Sequence, residues 1–364
     1  MNKKLILLIQ FWLVSFTFCS ERKSDITSQN KFKWQVVQPA DVKLDENSLR
    51  GLIEKIEDSV IHSVDGIVVV KNGKIALEQY FNGFSKDSLH NTASVGKSIT
   101  SALVGIAIDK GLIPGLQTKV ADYFEKDYDI KDPTDQKQQI EIQHLLTMSS
   151  GWDCDDWDES SLGNSAHFPN VADDFAFILN LPVIHAPGDR FAYCSGGANL
   201  VGEIIRRTSG QSLQQFSDDH LFNKIGIINN QWFIVPKPPH YEFSGGGNSL
   251  TPRDMARLGL LYLNHGQWQG DQIIPKAWIQ ASTSKQIETQ EGEGYGYFWW
   301  IKALNFKDST VMAFEASGNG GNKITVIPEL EMVIVLTGSG YGSEYVEGEQ
   351  ARIIMEEYIV ASVI

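Results

Sequence analysis

Ser94-Val95-Gly96-Lys97-Ser98-Ile99-Thr100-Ser101-Ala102-Leu103-Val104-Gly105-Ile106-Ala107-Ile108 is the stretch on which the reading of this 364-residue chain turns. Its apolar positions run nearly all round a helix, so it predicts a buried central helix ended by Lys110-Gly111. Ser94 and Lys97 stand one turn apart, where the ammonium can reach the hydroxyl. A serine becomes a nucleophile when a neighbouring base takes its proton, and a desolvated lysine can be that base. At the start of a helix the serine also sits among free N–H groups at the positive end of the dipole, where an oxyanion is stabilised. The competing reading is an N-cap serine followed by a surface lysine.

The same spacing recurs from Ser20, Ser28 and Ser282, and context separates them. Ser20 and Ser28 lie in a polar stretch, and Ala281-Ser282-Thr283-Ser284-Lys285-Gln286 has no apolar periodicity after it. Only Ser94 opens a buried-helix pattern.

Outward from this helix the chain changes character. Before it, Asp45 to Asp58 predicts an amphipathic helix. Gly66 to Lys71 and Lys74 to Phe81, joined by Asn72-Gly73, predict a hairpin with a type I′ turn. After it, from Ser94 to about Ser284, the strong segments are helical: Ile140 to Met148, Asp173 to Asn180, Ala198 to Thr208 and Pro252 to His265. The last third predicts strands at Tyr295 to Ile301, Thr310 to Ala316, Lys323 to Ile327 and Glu331 to Thr337, then a helix from Ser343 to Ala361. Strands at both ends around a helical middle predict one sheet built from the two termini with an inserted helical region. The ranges are 35–93 and 285–364 for the sheet and 94–284 for the all-helical insertion, together one catalytic unit over 35–364.

The net charge of −14 and the absence of a basic cluster argue against a nucleic-acid partner. Met1-Asn2-Lys3-Lys4 ahead of the apolar run Leu5 to Phe18 predicts an export signal over 1–19, too short for a comfortable membrane span. Cys19 is either a lipidated N-terminus, giving a membrane-anchored lipoprotein, or a residue near a plain cleavage site. Residues 20–34 read as a polar tether. Export, to the periplasm or its membrane surface, leaves Cys154 and Cys194 where they can pair, with two free thiols as the alternative. Asp153-Cys154-Asp155-Asp156-Trp157-Asp158-Glu159 fails as a calcium loop, because Trp157 takes a ligand position and no turn glycine follows. It reads as a solvated acidic loop near the site entrance. Trp152, Trp157, Trp299 and Trp300 read as core and cleft wall. His144 and His185 lack zinc-ligand spacing.

Ser94-x-x-Lys97 after a hairpin resembles the serine hydrolases of the class C β-lactamase and penicillin-binding-protein-like family, which also holds esterases, D-amino-acid peptidases and 6-aminohexanoate-dimer hydrolases. His144-Leu145-Leu146-Thr147-Met148-Ser149-Ser150-Gly151, Pro187-Gly188-Asp189-Arg190-Phe191-Ala192-Tyr193-Cys194-Ser195, Ser244 to Ala256, Tyr295 to Trp300 and Gly318-Asn319-Gly320-Gly321 resemble further elements of that family in the same order. The resemblance implies an α+β, β-lactamase/transpeptidase-like fold. It implies Ser94 as nucleophile, Lys97 as proton acceptor and Tyr193 as a second acid/base, a tyrosine expected to have a lowered pKa between cationic groups. Ser195 stands where the family has asparagine. Ala316-Ser317-Gly318 stands where relatives carry a cation, which is expected to weaken binding of a substrate carboxylate. Ser195, Ser317, Gly318 and Asn319 are the candidate substrate and oxyanion residues, the backbone N–H groups of Ser94 and Asn319 forming the oxyanion hole.

The expected activity is cleavage of an ester or amide in a small molecule or short peptide through an acyl-enzyme. The alternatives are a D-stereospecific peptidase or β-lactamase on cell-wall-type substrates, and a non-catalytic surface binding protein. The chemistry implies no metal or organic cofactor, and the membrane enters only through the lipid anchor.

Overall fold

The computed structural model describes residues 32–131 and 136–364; the export signal, Cys19, Ser20 and Ser28 lie outside them. The hairpin forms as the Asn-Gly pair predicts: β1 (Val64–Lys71) and β2 (Lys74–Tyr80) pair antiparallel, with positive φ at Asn72 and Gly73. The C-terminal third adds β3 (Ile287–Glu288), β4 (Gly294–Tyr295), β5 (Trp300–Phe306), β6 (Ser309–Gly318), β7 (Asn322–Ile327) and β8 (Met332–Gly338). Together they make one eight-stranded antiparallel sheet, ordered β2-β1-β8-β7-β6-β5-β4-β3. The first hairpin docks on the last strand, so the two ends of the chain close the sheet.

Both faces of the sheet are covered, and β1 shows how. Its alternate residues serve opposite cores, Ile67 and Val69 on one side, Val68 and Val70 on the other. The first side packs against α1 (Glu46–Glu57) and the C-terminal helical turns of 346–360, through Leu49, Leu52, Ile354 and Ile359. Asp45 caps α1 by accepting from Asn47 N at 3.0 Å. The second side packs against α2 (Val95–Asp109), buried over nearly its whole length. Beyond it, α3 (Ser195–Ser209) carries the helical region, and α4 (Pro252–Leu263) returns to lie on the sheet beside Ile324 and Val333.

Two expectations are corrected. The segment 94–284 is not all-helical: Gln231–Trp232 and Asn248–Leu250 form a three-stranded sheet with His90–Asn91, Gln267–Trp268 and Asp271–Gln272 form a two-stranded one, and α4 belongs with the main sheet. The predicted strand Tyr295 to Ile301 breaks into β4 and β5. Between them the chain turns back, with Phe298 at φ +61° and Gly296 N donating to Trp299 O at 2.8 Å. The turn sends Trp299 into the core against Tyr262 and Phe314 and leaves Trp300 half-buried at the cleft.

Candidate active site

Ser94 is the N-terminal flanking residue of α2, held from both sides. Thr92 donates to Asn248 O through both its backbone N (2.9 Å) and its hydroxyl (2.8 Å). Ala93 lies at φ +48°, a left-handed conformation costing a β-carbon residue about 1–2 kcal/mol. On the other side the end of β6 presses on the helix start. A Cβ at Gly318 would fall 2.2 Å from Thr92 O and 3.1 Å from Ser94 N, so only glycine admits this contact.

Lys97 follows one turn on, 1% exposed, and donates to Ser94 Oγ at 2.9 Å and to Gly245 O. Among the described residues no carboxylate lies within ion-pair distance of it. Burial therefore dominates and brings its pKa down to about 8, against a smaller upward pull from the Asp156 carboxylate. About a tenth of this amine is free base at pH 7, and the fraction grows as pH rises through 8. The other described candidate is no pair: Ser282 Oγ donates back to Ile279 O, and Lys285 bonds Glu288 at the surface.

Tyr193, Cys194 and Ser195 reach the site where α3 begins. Tyr193 is buried, its hydroxyl interacts with Ser94, and its ring lies 4.8 Å from Lys97 Nζ. The expectation of a lowered pKa is overturned. Burial pushes the phenol well above its ordinary range, helped by the Asp156 and Glu347 carboxylates and only partly offset by Ser94. Tyr193 rests as a neutral phenol, because the cations expected around it reduce to one lysine that is itself partly uncharged.

The acidic loop expected near the site entrance lines the site. Cys154 is bonded to Cys194, Asp156 N donates to Tyr193 O at 2.8 Å, and Asp156 Oδ2 accepts from Ser195 N at 3.0 Å. Asn164 ties the loop down by donating to the carbonyls of Asp155, Asp156 and Asp158. Trp157 stacks on Tyr193 with centroids 5.0 Å apart and on Trp300 at 5.9 Å, while Trp152 is buried in the core. Ser94, Tyr193, Ser195, Ser317, Gly318 and Asn319 line one cavity of about 290 Å³. Asp156, Trp157, Trp300 and Glu347 share its wall, and the sequence had flagged neither Asp156 nor Glu347 as a site residue.

The expected lack of a cation beside Ser317 is also corrected. Lys323 is its cross-strand partner and donates to Ser317 Oγ at 2.8 Å and to Glu315 at 3.0 Å. Glu315, buried, also takes Lys302 at 3.1 Å and is held down to about pKa 2 by these two cations despite burial. The cross-strand register was the missing signal, since the residues are six apart in sequence and adjacent only across the β6–β7 turn. Asn319 is fixed by its Oδ1 accepting from Gly342 N and its carbonyl accepting from Asn322 Nδ2, both at 2.8 Å. Among the described residues no cluster of three or more His, Cys, Asp or Glu side chains is arranged to hold a metal, and no helix is long and apolar enough to cross a membrane. His144 serves packing, its Nδ1 accepting from Glu141 N at 3.1 Å.

Comparison with known proteins points the same way. The sequence profile of the Beta-lactamase family matches residues 52–356. The chain is 25% identical over 276 residues to the 6-aminohexanoate-dimer hydrolase of Paenarthrobacter ureafaciens, covering 71% of this chain and 69% of that protein. Among solved structures, a class C β-lactamase from Rhodobacter sphaeroides superposes with a TM-score of 0.64 at 14% identity, over 86% of this chain and 98% of that one. A penicillin-binding protein from Bacillus halodurans does so at 0.62 and 19% identity, over 81% and 96%.

Proposed function

The chain belongs to the Beta-lactamase family and is a serine hydrolase, and from that premise we propose that Ser94 cleaves an ester or amide through an acyl-enzyme. The observation that carries the reading is the 2.9 Å contact between Ser94 Oγ and a buried lysine with no carboxylate in ion-pair contact. Neutral Lys97 takes the hydroxyl proton as Oγ attacks the carbonyl carbon. The oxyanion forms against the backbone N–H of Ser94 and that of Asn319, at the crossing of α2 and β6. The phenol of Tyr193 passes its proton to the leaving group and is recharged from the Lys97 ammonium beside it. Water then repeats the attack on the acyl carbon, with Lys97 as base. Ser195 and Ser317 bind the substrate's polar groups.

A second reading, a D-stereospecific peptidase or β-lactamase, is favoured by Lys323. An ammonium only donates, so it occupies a lone pair of Ser317 Oγ and leaves the hydroxyl proton free to point at a substrate carboxylate or carbonyl. We also place the protein outside the cytoplasm, a reading that the bonded Cys154–Cys194 pair supports.

The test is labelling with a fluorophosphonate, followed by peptide mass spectrometry, beside hydrolysis of a p-nitrophenyl ester and a chromogenic cephalosporin. One adduct on Ser94, absent from Ser94→Ala, together with ester turnover, is the expected result. Cephalosporin turnover exceeding ester turnover would favour the second reading. No adduct, or one that persists in Ser94→Ala, would sink the hydrolytic role of Ser94 and leave a binding protein.

A further inference from the structure

A cavity of about 860 Å³ neighbours the one that holds Ser94. Ser165 lines both, so the two spaces share that wall. Gly246 lines the larger one and packs on the helix start, where a Cβ would lie 3.1 Å from Ala93 C and 3.2 Å from Ser94 N. With no side chain at 246, its backbone lies directly on the helix start, so Ser94 and the second space are separated there by a single layer of backbone.

The walls state what that space takes. One side is apolar, with Phe168, Phe233, Val235 and Phe243. Asn91, Ser249 and Gln231, paired in the short sheet, add neutral polar groups to the lining. The two charges in the lining cancel: Lys237 Nζ lies 2.7 Å from Asp174 Oδ1 and also donates to the carbonyls of Phe168 and Val171, while Asp174 Oδ2 accepts from Tyr241 at 2.7 Å. A charged occupant would find no unspent counter-charge. Phe233 is 56% exposed, so its ring offers an uncovered apolar face to an occupant of this space.

We propose that this cavity is the specificity subsite of the enzyme and holds an uncharged, apolar alkyl or aryl substituent of the substrate, beside a scissile carbonyl at Ser94. The proposal rests on the hydrolase reading for the word substrate, and on the cavity alone for the chemistry of the occupant. Each methylene buried there is worth about a fourfold gain in affinity or kcat/KM.

The experiment measures binding of acetamide and hexanamide to the Ser94→Ala protein by calorimetry, and kcat/KM for p-nitrophenyl acetate and hexanoate with the unaltered chain. The expected result is at least about tenfold preference for the six-carbon member in binding. Phe233→Glu, whose side chain is half exposed and not needed for the core, should cut that preference at least fivefold. Ile234→Glu puts the same charge on the adjacent residue, outside the cavity lining, and should leave it intact. Equal affinity for the two amides, or a preference that Phe233→Glu does not reduce, would overturn the proposal. The ester and fluorophosphonate results judge the hydrolase reading separately. Turnover of both esters with no amide preference refutes the subsite and keeps the enzyme. Amide preference with no turnover and no Ser94 adduct keeps the cavity's ligand chemistry and refutes the enzyme.

Discussion

Two lysines are buried almost equally at the two sides of this cleft, and they have opposite fates. Lys97, at the start of α2, meets a hydroxyl and a carbonyl. Lys323, on β7, meets the Glu315 carboxylate, which Lys302 shares. Burial pulls the pKa of both down. At Lys323 the carboxylate opposes the pull, and Glu315 is itself held near pKa 2 by the two cations beside it. At Lys97 only the more distant Asp156 opposes it, and the result is a base near pKa 8. The same residue type, equally buried, is structural with a partner and chemical without one.

The sharpest way to break this contrast is to remove each ammonium in turn. Lys97→Met is expected to lower kcat/KM for the ester by about 10³-fold or more. The same variant should be at least as stable to thermal unfolding as the parent, because it deletes a buried charge that has no ion-pair partner. Lys323→Met should do the reverse. It leaves Glu315 with one cation and costs about 3 kcal/mol of stability, read as a fall in denaturation midpoint, while activity falls by less. If Lys97→Met is the destabilised protein and Lys323→Met the inactive one, the assignment of roles is wrong.

Tyr193→Phe comes next, with an expected loss of about 10²-fold in kcat. The pH profile makes this variant informative. Free Lys97 amine accumulates as pH rises, so kcat/KM should climb through about pH 8 and level off above it. Because Tyr193 stays a phenol across that range, the rise near 8 should survive in Tyr193→Phe; its disappearance would make Tyr193 the base. Stability carries a matching sign. The folded pKa of Lys97 lies below its unfolded value of 10.5, so the unfolded chain binds more protons between about 8 and 10.5 and this group adds stability as pH rises through that window. Glu315 adds stability that is fully present above its unfolded pKa of 4.5 and is lost as pH falls toward 2.

The smallest effect is expected from Asp156→Asn. Its carboxylate raises the pKa of Lys97, so removing the charge should move the rise in kcat/KM to lower pH, by less than about one unit. A shift to higher pH would contradict the electrostatics drawn for the site.

Much of the architecture could be read from residues alone. Period-2 and period-3.6 patterns marked the hairpin, α1, α2 and the last strands, and Asn72-Gly73 named its turn, because these depend on neighbours within a few residues. Tyr295 to Ile301 misled, since an aromatic run satisfies a strand pattern even where a turn splits it between core and cleft. Asp156 was missed for another reason. In sequence it is one carboxylate of an acidic loop, and only the Cys154–Cys194 bond and the contacts to Tyr193 and Ser195 carry that loop to Ser94.

The sequence by itself determined the first hairpin, the buried helix α2 and the last strands, the one-turn spacing of Ser94 and Lys97, and the family to which the chain belongs. Tertiary structure alone decided which groups are charged. Gly245, 148 residues from Lys97 in the chain, closes over its ammonium with a carbonyl rather than a carboxylate, and Lys323 reaches Ser317 across two strands. A pKa is set by the water that packing removes and by the charges that packing brings near, and neither is a property of a residue's neighbours in sequence.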